Sequence, residues 1–273
     1  MPFEEYRVDG YGRAADGGVL MKEYMVDAIV LKSVRAREAD RILTLFTRQE
    51  GKKRVIAHGV EKPSSRKRGA VQPFSRSRLL LRRGRDLDSV SQGEGLDMFP
   101  AIRRNLDSLS KASYMAELVD AFMQDEDPHP GVYDLIGETY SLLGGSFDFI
   151  LARAFEIKLV SLLGYRPALD FCVMCGGGAA GPRVFFSPAQ GGVVCAGCGP
   201  ESGNTMEITR GTLENIKTLL RWEMGHVSRL VTGPAAGREI KAVMKAFIEY
   251  RLERGIRSAA FEEMVDRGPS GGK

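Results

Sequence analysis

Four cysteines constrain this chain more than any other feature. They fall in two pairs, Cys172-Val173-Met174-Cys175 and Cys195-Ala196-Gly197-Cys198, with 19 residues between the pairs and no other cysteine in the 273-residue chain. A Cys-x-x-Cys turn presents two thiolates from one knuckle, and tetrahedral Zn²⁺ takes four such soft ligands at about 2.3 Å. Gly176 and Gly199 directly follow the two pairs, which suits tight turns whose backbone N–H groups can face the sulfurs. Disulfides and inert buried thiols are the competing readings; a cytosolic chain disfavours the first and the paired spacing disfavours the second. The pattern predicts one structural Zn²⁺ held by Cys172, Cys175, Cys195 and Cys198, a closed site with no position left for Lewis-acid work.

The cytosolic premise rests on what the chain lacks. It has no run of 18 apolar residues, so no membrane helix is expected. Met1 to Leu20 carries Gly10, Gly12, Gly17 and Gly18 among polar residues and has no apolar stretch of the kind a signal peptide needs. Residues 1–22 read as a disordered leader and residues 266–273 as a flexible tail. A cytoplasmic location follows as the expectation.

The formal net charge of +4 hides an asymmetry. Between Arg48 and Arg85 stand 13 Lys/Arg against only Glu50 and Glu61, a net of +11, which leaves −7 for the remainder. A basic segment on an acidic body is the electrostatic footprint of a polyanion site. A solvated charge run is the bland alternative, but these charges sit inside alternating, strand-like sequence. The candidate nucleic-acid contacts are Lys52, Lys53, Arg54, Lys62, Arg66, Lys67, Arg68, Arg76, Arg78, Arg82 and Arg83. Alternation in Phe74-Ser75-Arg76-Ser77-Arg78 puts both arginines on one strand face with Phe74. Phe46 and Phe74 are the only aromatics from Val26 to Glu94, so binding should lean on phosphates, with weak sequence preference and strong salt dependence.

Strand-like runs occupy Met25–Leu31, Arg41–Thr47, Lys53–Val60, Phe74–Leu81 and Leu87–Val90, with a hairpin signal at Glu50-Gly51 and a loop over 63–69. Five short strands in one segment predict a small barrel, an OB-fold over residues 23–95. Beyond Leu96 the apolar period becomes helical, giving an α+β chain whose all-α part spans 96–265 with a zinc-finger insertion at 170–200. Five helices are expected. The first carries Met115, Leu118, Val119 and Phe122 and is closed by Asp127–Pro130; the second carries Val132, Leu135, Ile136, Tyr140 and Leu143. The third runs from about Ser146 to Leu163 and is stopped by Gly164; the fourth carries Leu213, Ile216, Leu219 and Leu220; the fifth is opened by Pro234 and closed by Gly255.

Catalytic signatures are missing from the sequence. None of His58, His129 and His226 has the H-x-E spacing of a zinc deaminase, and no G-x-x-x-x-G-K-[ST] loop occurs. Gly176-x-Gly178-x-x-Gly181 spells a dinucleotide pattern but lies between the cysteine pairs, where it reads as loop glycine.

The whole arrangement resembles the RecO family of DNA-repair and recombination proteins. The resemblance runs from about Met25 to Phe261 and is carried by Ala28–Leu31, Arg37–Leu43 leading to Gly51-Lys52, the basic stretch Gly59–Arg68, and the segment from Leu80-Leu81 to Asp86-Leu87. It continues through Phe155–Leu159, Leu163-Gly164-Tyr165-Arg166-Pro167, the cysteine pairs, and Phe186-Ser187 with Gly191-Gly192. It implies an N-terminal OB-fold, a helical domain and a zinc module, without enzymatic activity. It also implies binding of single- and double-stranded DNA, annealing of complementary strands, and help in loading a recombinase onto DNA coated by single-strand-binding protein. The implied partners are recombination protein RecR and the acidic, apolar-ended C-terminal tail of the single-strand-binding protein; the implied location is cytoplasmic and nucleoid-associated. Arg153 and Lys158 on the third helix are candidate contacts for that tail. Two other readings stay open. A zinc-ribbon RNA-binding accessory protein would use the same basic barrel. A nuclease-like enzyme would need a carboxylate or histidine cluster on the basic face, where Arg48 to Arg85 offers only Glu50, Glu61 and His58.

Overall fold

The computed structural model describes residues 23–145, 147–179, 181, 183–199, 203–253, 255 and 258; the expected leader at 1–22 and tail at 266–273 lie outside them. Strands β1 (Glu23–Arg35), β2 (Arg41–Thr47), β3 (Gly51–Ala57), β4 (Arg76–Arg82) and β5 (Asp88–Asp97) close into a barrel in the order β1-β2-β3-β5-β4. All pairs are antiparallel except β3–β5. The period-2 alternation does what it predicts: Val26, Ala28, Val30, Leu43, Leu45, Val55, Leu79 and Leu81 fill the interior while their neighbours face out. The long first strand pairs with both β2 and β4, and a register shift between Val30 and Lys32 lets it curl enough to close the sheet. This is the five-stranded OB-type architecture. The basic loop between β3 and β4 is pinned at both ends, because Val60, Ala70 and Val71 insert into the barrel core.

Strand boundaries differ from expectation: β1 runs on to Arg35, β3 starts at Gly51 and gives way to a turn at His58–Val60, and β4 and β5 differ in ways that change side-chain placement. Phe74 does not share the arginine face of β4; it precedes the strand in a left-handed conformation (φ 66), with its N–H donating to the Val30 carbonyl at 2.7 Å. That turn sends its ring to Tyr140, edge-on at 5.9 Å. Strand β5 continues past Val90 through Gly93 and Gly95, a stretch whose polar, glycine-rich sequence carries no strand signal.

The helical body consists of α1 (Leu106–Phe122), α2 (Pro130–Leu142), α3 (Asp148–Leu162), α4 (Arg210–Arg221) and α5 (Pro234–Leu252). Helix α3 is buried around most of its circumference, as its nearly continuous apolar sequence dictates for a central helix. Asp127–Pro130 opens α2 instead of closing α1: Pro130 takes the first helical turn and His129 Nδ1 accepts the Val132 N–H at 3.2 Å. Helix α5 ends before Gly255, at Leu252, with Glu253 adopting the left-handed cap (φ 54). A three-stranded sheet absent from the sequence expectation, β6 (Arg183–Ser187), β7 (Gly192–Val194) and β8 (Met206–Thr209), stacks in the order β7-β6-β8. Its strands are three to five residues long, too short for a periodic signal, and β8 lies beyond residue 200. It shares one core with the helices through Val184, Phe186, Val193 and Ile208.

Barrel and helical body are joined by apolar contact rimmed with charge. Ile29, Leu31 and Phe46 on the outer barrel surface, together with Phe74, belong to the helical core. Around them Lys52 pairs with Asp120 and Asp125, each at 3.3 Å, Arg48 pairs with Asp134, and the Glu126 N–H donates to the Lys52 carbonyl at 2.9 Å. Magnitudes decide which matters. Burying each of these apolar side chains contributes about 1.5–3 kcal/mol. The Arg48–Asp134 pair, 44% and 56% exposed, is screened by water and contributes far less. Phe46→Ala is therefore expected to cost about 3–5 kcal/mol in denaturant unfolding, and Arg48→Ala to leave the midpoint nearly unchanged. Gly51 has φ 67, and a Cβ there would stand 2.3 Å from the Asp127 carbonyl oxygen, whereas one on Gly69 would meet nothing within 4 Å. Gly51→Ala should lower the unfolding midpoint by the equivalent of about 2 kcal/mol or more while Gly69→Ala leaves it nearly unchanged.

Candidate metal centre and nucleic-acid interface

The cysteine knuckles are shaped by their glycines and by the small sheet. The Gly176 N–H donates to the Cys172 carbonyl at 2.9 Å, and the Gly199 N–H donates to the Cys195 carbonyl at 2.9 Å. Gly176 is left-handed (φ 72), and a Cβ on Gly199 would lie 2.2 Å from the Phe185 ring. These glycine N–H groups close the turns onto carbonyls; it is the N–H groups of Cys195, Cys175 and Met174 that reach the Cys172 sulfur. The first knuckle is fastened to β7 by the Val173 N–H, which donates to the Val193 carbonyl at 2.9 Å, and β7 leads directly into the second knuckle.

The four sulfurs all lie within 4.8 Å of one another, Cys175 and Cys195 being 3.8 Å apart, and none is in a disulfide. A tetrahedron with metal–sulfur bonds of about 2.3 Å has edges of about 3.8 Å, so the cluster fits one ion with four thiolate ligands. Burial raises the Cys172 thiol, but the three backbone donors outweigh it and bring the pKa down to about 6. The Cys198 thiol, donating to Cys195 and Cys175, is held in its neutral form and its pKa is pushed up to about 12. Four thiolates this close need a cation before all can ionise. With every ligand position filled by protein, an ion here holds structure.

The sequence-predicted cations divide into two groups. Lys52 is held by Asp120 and Asp125, and its ammonium also donates to the Asp120 carbonyl at 2.8 Å. Lys53 points inward at the end of the barrel, only 7% exposed, with Glu126 at 3.2 Å, Glu50 at 3.4 Å and Asp88 at 3.9 Å. Burial works against its charge, yet Tyr24, Glu126 and Glu50 hold its pKa above the usual lysine value. Lys67 donates to the Val90 carbonyl at 2.8 Å, and burial lowers its pKa. Arg68 donates to the Glu61 carbonyl at 3.0 Å; Arg78 pairs with Asp27 at 2.9 Å and Arg82 with Glu23 at 2.8 Å. Arg76 faces Asp97 at 3.9 Å, and Arg83 lies 4.8 Å over the Tyr24 ring. The side chains of Arg54, Lys62 and Arg66 are exposed and make no ion pair or hydrogen bond among the described residues.

Register explains where the open cations point. Lys32 pairs with Thr44 and Thr44 with Arg54, so these three form one row across the outer face of β1, β2 and β3; Val34, Ile42 and Ile56 form the next. The Glu61 N–H, donating to the Ala39 carbonyl at 3.1 Å, ties the loop bearing Lys62 and Arg66 to the same end of this face. Lys32 was missed because it lies outside the basic segment by sequence; only the hairpin register brings it beside Arg54. Of the two candidate contacts on α3, Arg153 is 1% exposed and pairs with the buried Glu156 at 3.1 Å, so it is core. Lys158 is half-buried, with its ammonium donating to the Leu220 carbonyl at 3.3 Å.

Protein purified without chelators is expected to carry one metal ion per chain by elemental analysis. Cys175→Ser should lose it and unfold the helical body at lower temperature than the barrel, because metal binding at such sites is coupled to local folding. Metal-free parent protein of unchanged stability would refute the assignment.

Comparison with known proteins places both halves of the chain. Residues 21–99 match the family model for recombination protein O N terminal, and residues 103–260 the one for recombination protein O C terminal. The chain is 45% identical over 251 residues to the DNA repair protein RecO of Pelotomaculum thermopropionicum, covering 92% of this chain and 98% of the relative. It is 40% identical over 245 residues to that of Desulforamulus reducens (90% and 96% covered) and 41% over 241 residues to that of Desulforudis audaxviator (88% and 96%). With two family models covering barrel and helical body in turn, and relatives matched nearly end to end, the chain belongs to the recombination protein O (RecO) family.

Proposed function

We propose that this protein is a non-enzymatic DNA-binding mediator of recombination in DNA repair. It binds single- and double-stranded DNA, anneals complementary single strands, and helps load a recombinase onto DNA coated by single-strand-binding protein. The observation that carries this reading is the open cationic row Lys32–Thr44–Arg54, extended by Lys62 and Arg66, on the β2–β3 face that OB-folds use for oligonucleotides. Cations already matched by carboxylates would have to give up a partner to meet a phosphate; these need not. Lining a backbone along this face neutralises it and lets a second strand approach.

The metal is Zn²⁺, the ion for which four thiolates in a closed tetrahedral site are characteristic, and its role is structural. Among the described residues no helix is long and apolar enough to cross a membrane, and a cytoplasmic, nucleoid-associated location suits a DNA mediator. Family membership supports RecR and the C-terminal tail of single-strand-binding protein as partners.

The test is annealing of complementary oligonucleotides without ATP by the parent and by the Arg54→Ala/Lys62→Ala/Arg66→Ala variant. The parent should anneal, and its log affinity for single strands should fall with log salt at a slope of about −3 to −4. The triple variant should bind every sequence more weakly, anneal poorly, and show a slope shallower by up to about 2, with fold and metal content intact. A parent that neither binds nor anneals would overturn the reading; a variant equal to the parent would move the DNA path off this face.

A further inference from the structure

The barrel gives phosphates a charged face but gives bases almost nothing to stack on. Phe46 and Phe74 are buried in the inter-domain core. Tyr24 is half-buried against the barrel core, with its hydroxyl donating to Asp88. Open aromatic surface lies instead on the helical body. Tyr165 and Tyr250 are 44% and 48% exposed, and both rings stand against one cation, Arg251, at 5.7 and 5.4 Å. Phe247 contributes a third ring at 5.0 Å, and Phe122 abuts Tyr165 at 6.4 Å. Phe147, Phe171 and Trp222 are exposed too, but no cation lies over any of their rings among the described residues.

The cluster is held rigidly. Gly164, left-handed at φ 86, turns the chain at the end of α3, and the Tyr165 N–H donates back to the Val160 carbonyl at 2.8 Å, the closing bond of a Schellman end. Tyr250 and Arg251 sit on the last turn of α5. The Arg251 guanidinium is wedged against the β6–β7 turn, where a Cβ on Gly191 would lie 2.6 Å from Nη2. Its buried Nε has no hydrogen-bond partner, and no carboxylate pairs with it among the described residues. Helices α3 and α5 both end here, and their C-terminal dipoles favour a cation and disfavour a phosphate. The site therefore offers π-faces stiffened by a guanidinium plane, suited to bases and not to a backbone.

We propose that Tyr165, Tyr250 and Arg251 form a stacking site for unpaired bases of single-stranded nucleic acid, separate from the phosphate-binding barrel face. The proposal rests on the DNA-binding reading above and adds what the barrel lacks. A duplex has no unpaired bases to offer, so this site distinguishes single strands from duplex.

Anisotropy titrations of the full-length protein with labelled oligo-dT and with a blunt duplex of equal length test it. Tyr165→Leu/Tyr250→Leu should weaken oligo-dT binding at least about tenfold while leaving duplex affinity and the salt slope unchanged. Tyr165→Phe/Tyr250→Phe keeps the rings and should bind like the parent. Circular dichroism and metal content check that both variants are folded. An unchanged Leu variant overturns the proposal, as do equal losses for oligo-dT and duplex; the cluster is then a clamp between α5 and the β6–β7 turn. A parent that binds neither DNA would sink the broader functional reading instead.

Discussion

The seating of the barrel on α1 and α2 is the contact on which the other features depend. Ile29, Leu31, Phe46 and Phe74 leave the barrel's own core to join that of the helices, with Phe74 and Phe99 both packing edge-on against Tyr140. Once that patch is buried, the outer surfaces of β1 and β2 are divided. One part is dry and structural; the part beyond Lys32 and Thr44 stays open. The open cationic face is what remains of the barrel after docking.

Docking also consumes charge. The basic segment and the acidic remainder look like a binding site and its solvated scaffold, yet Asp120, Asp125, Glu126 and Asp134 on the helical side are partners for Lys52, Lys53 and Arg48 on the barrel side. Within the barrel, Asp27 and Glu23 neutralise Arg78 and Arg82 in the same way. Lys53 goes furthest. It is surrounded at the barrel end by Glu50, Asp88, Glu126 and Tyr24, so its charge is matched several times over inside the fold. Much of the +11 is thus internal bookkeeping of the fold, and the field available to a polyanion comes from a few open side chains.

The cysteine cluster solves a different problem. Strands of three to five residues cannot stand alone in water. Here the sheet has two supports: Phe186 packs edge-on against Phe247 of α5 at 5.7 Å, and the knuckles lock the other end through four sulfurs. The same turn that positions the knuckles presses Gly191 against Arg251, so the sheet and the tyrosine cluster at the end of α5 are mechanically linked.

The sequence by itself determined the features that depend on local chemistry or short periods. Alternation marked most of the barrel strands, the 3.6-residue period marked all five helices, and Cys-x-x-Cys spacing picked out the four cysteines whose sulfurs cluster, because each is written within a few consecutive residues. Tertiary structure decided which cations are open. Arg54 and Lys53 are adjacent in sequence and opposite in fate, since a strand turns successive side chains to opposite faces and the docked helices supply carboxylates to only some of them. It also decided that Arg153, an ordinary helical arginine by sequence, is core, and that Phe74 leaves the arginine face. It assembled Tyr165, Tyr250 and Arg251 from segments more than eighty residues apart. Burial, register and ion pairing across such separations depend on how elements pack, and a single sequence carries no local signal for them.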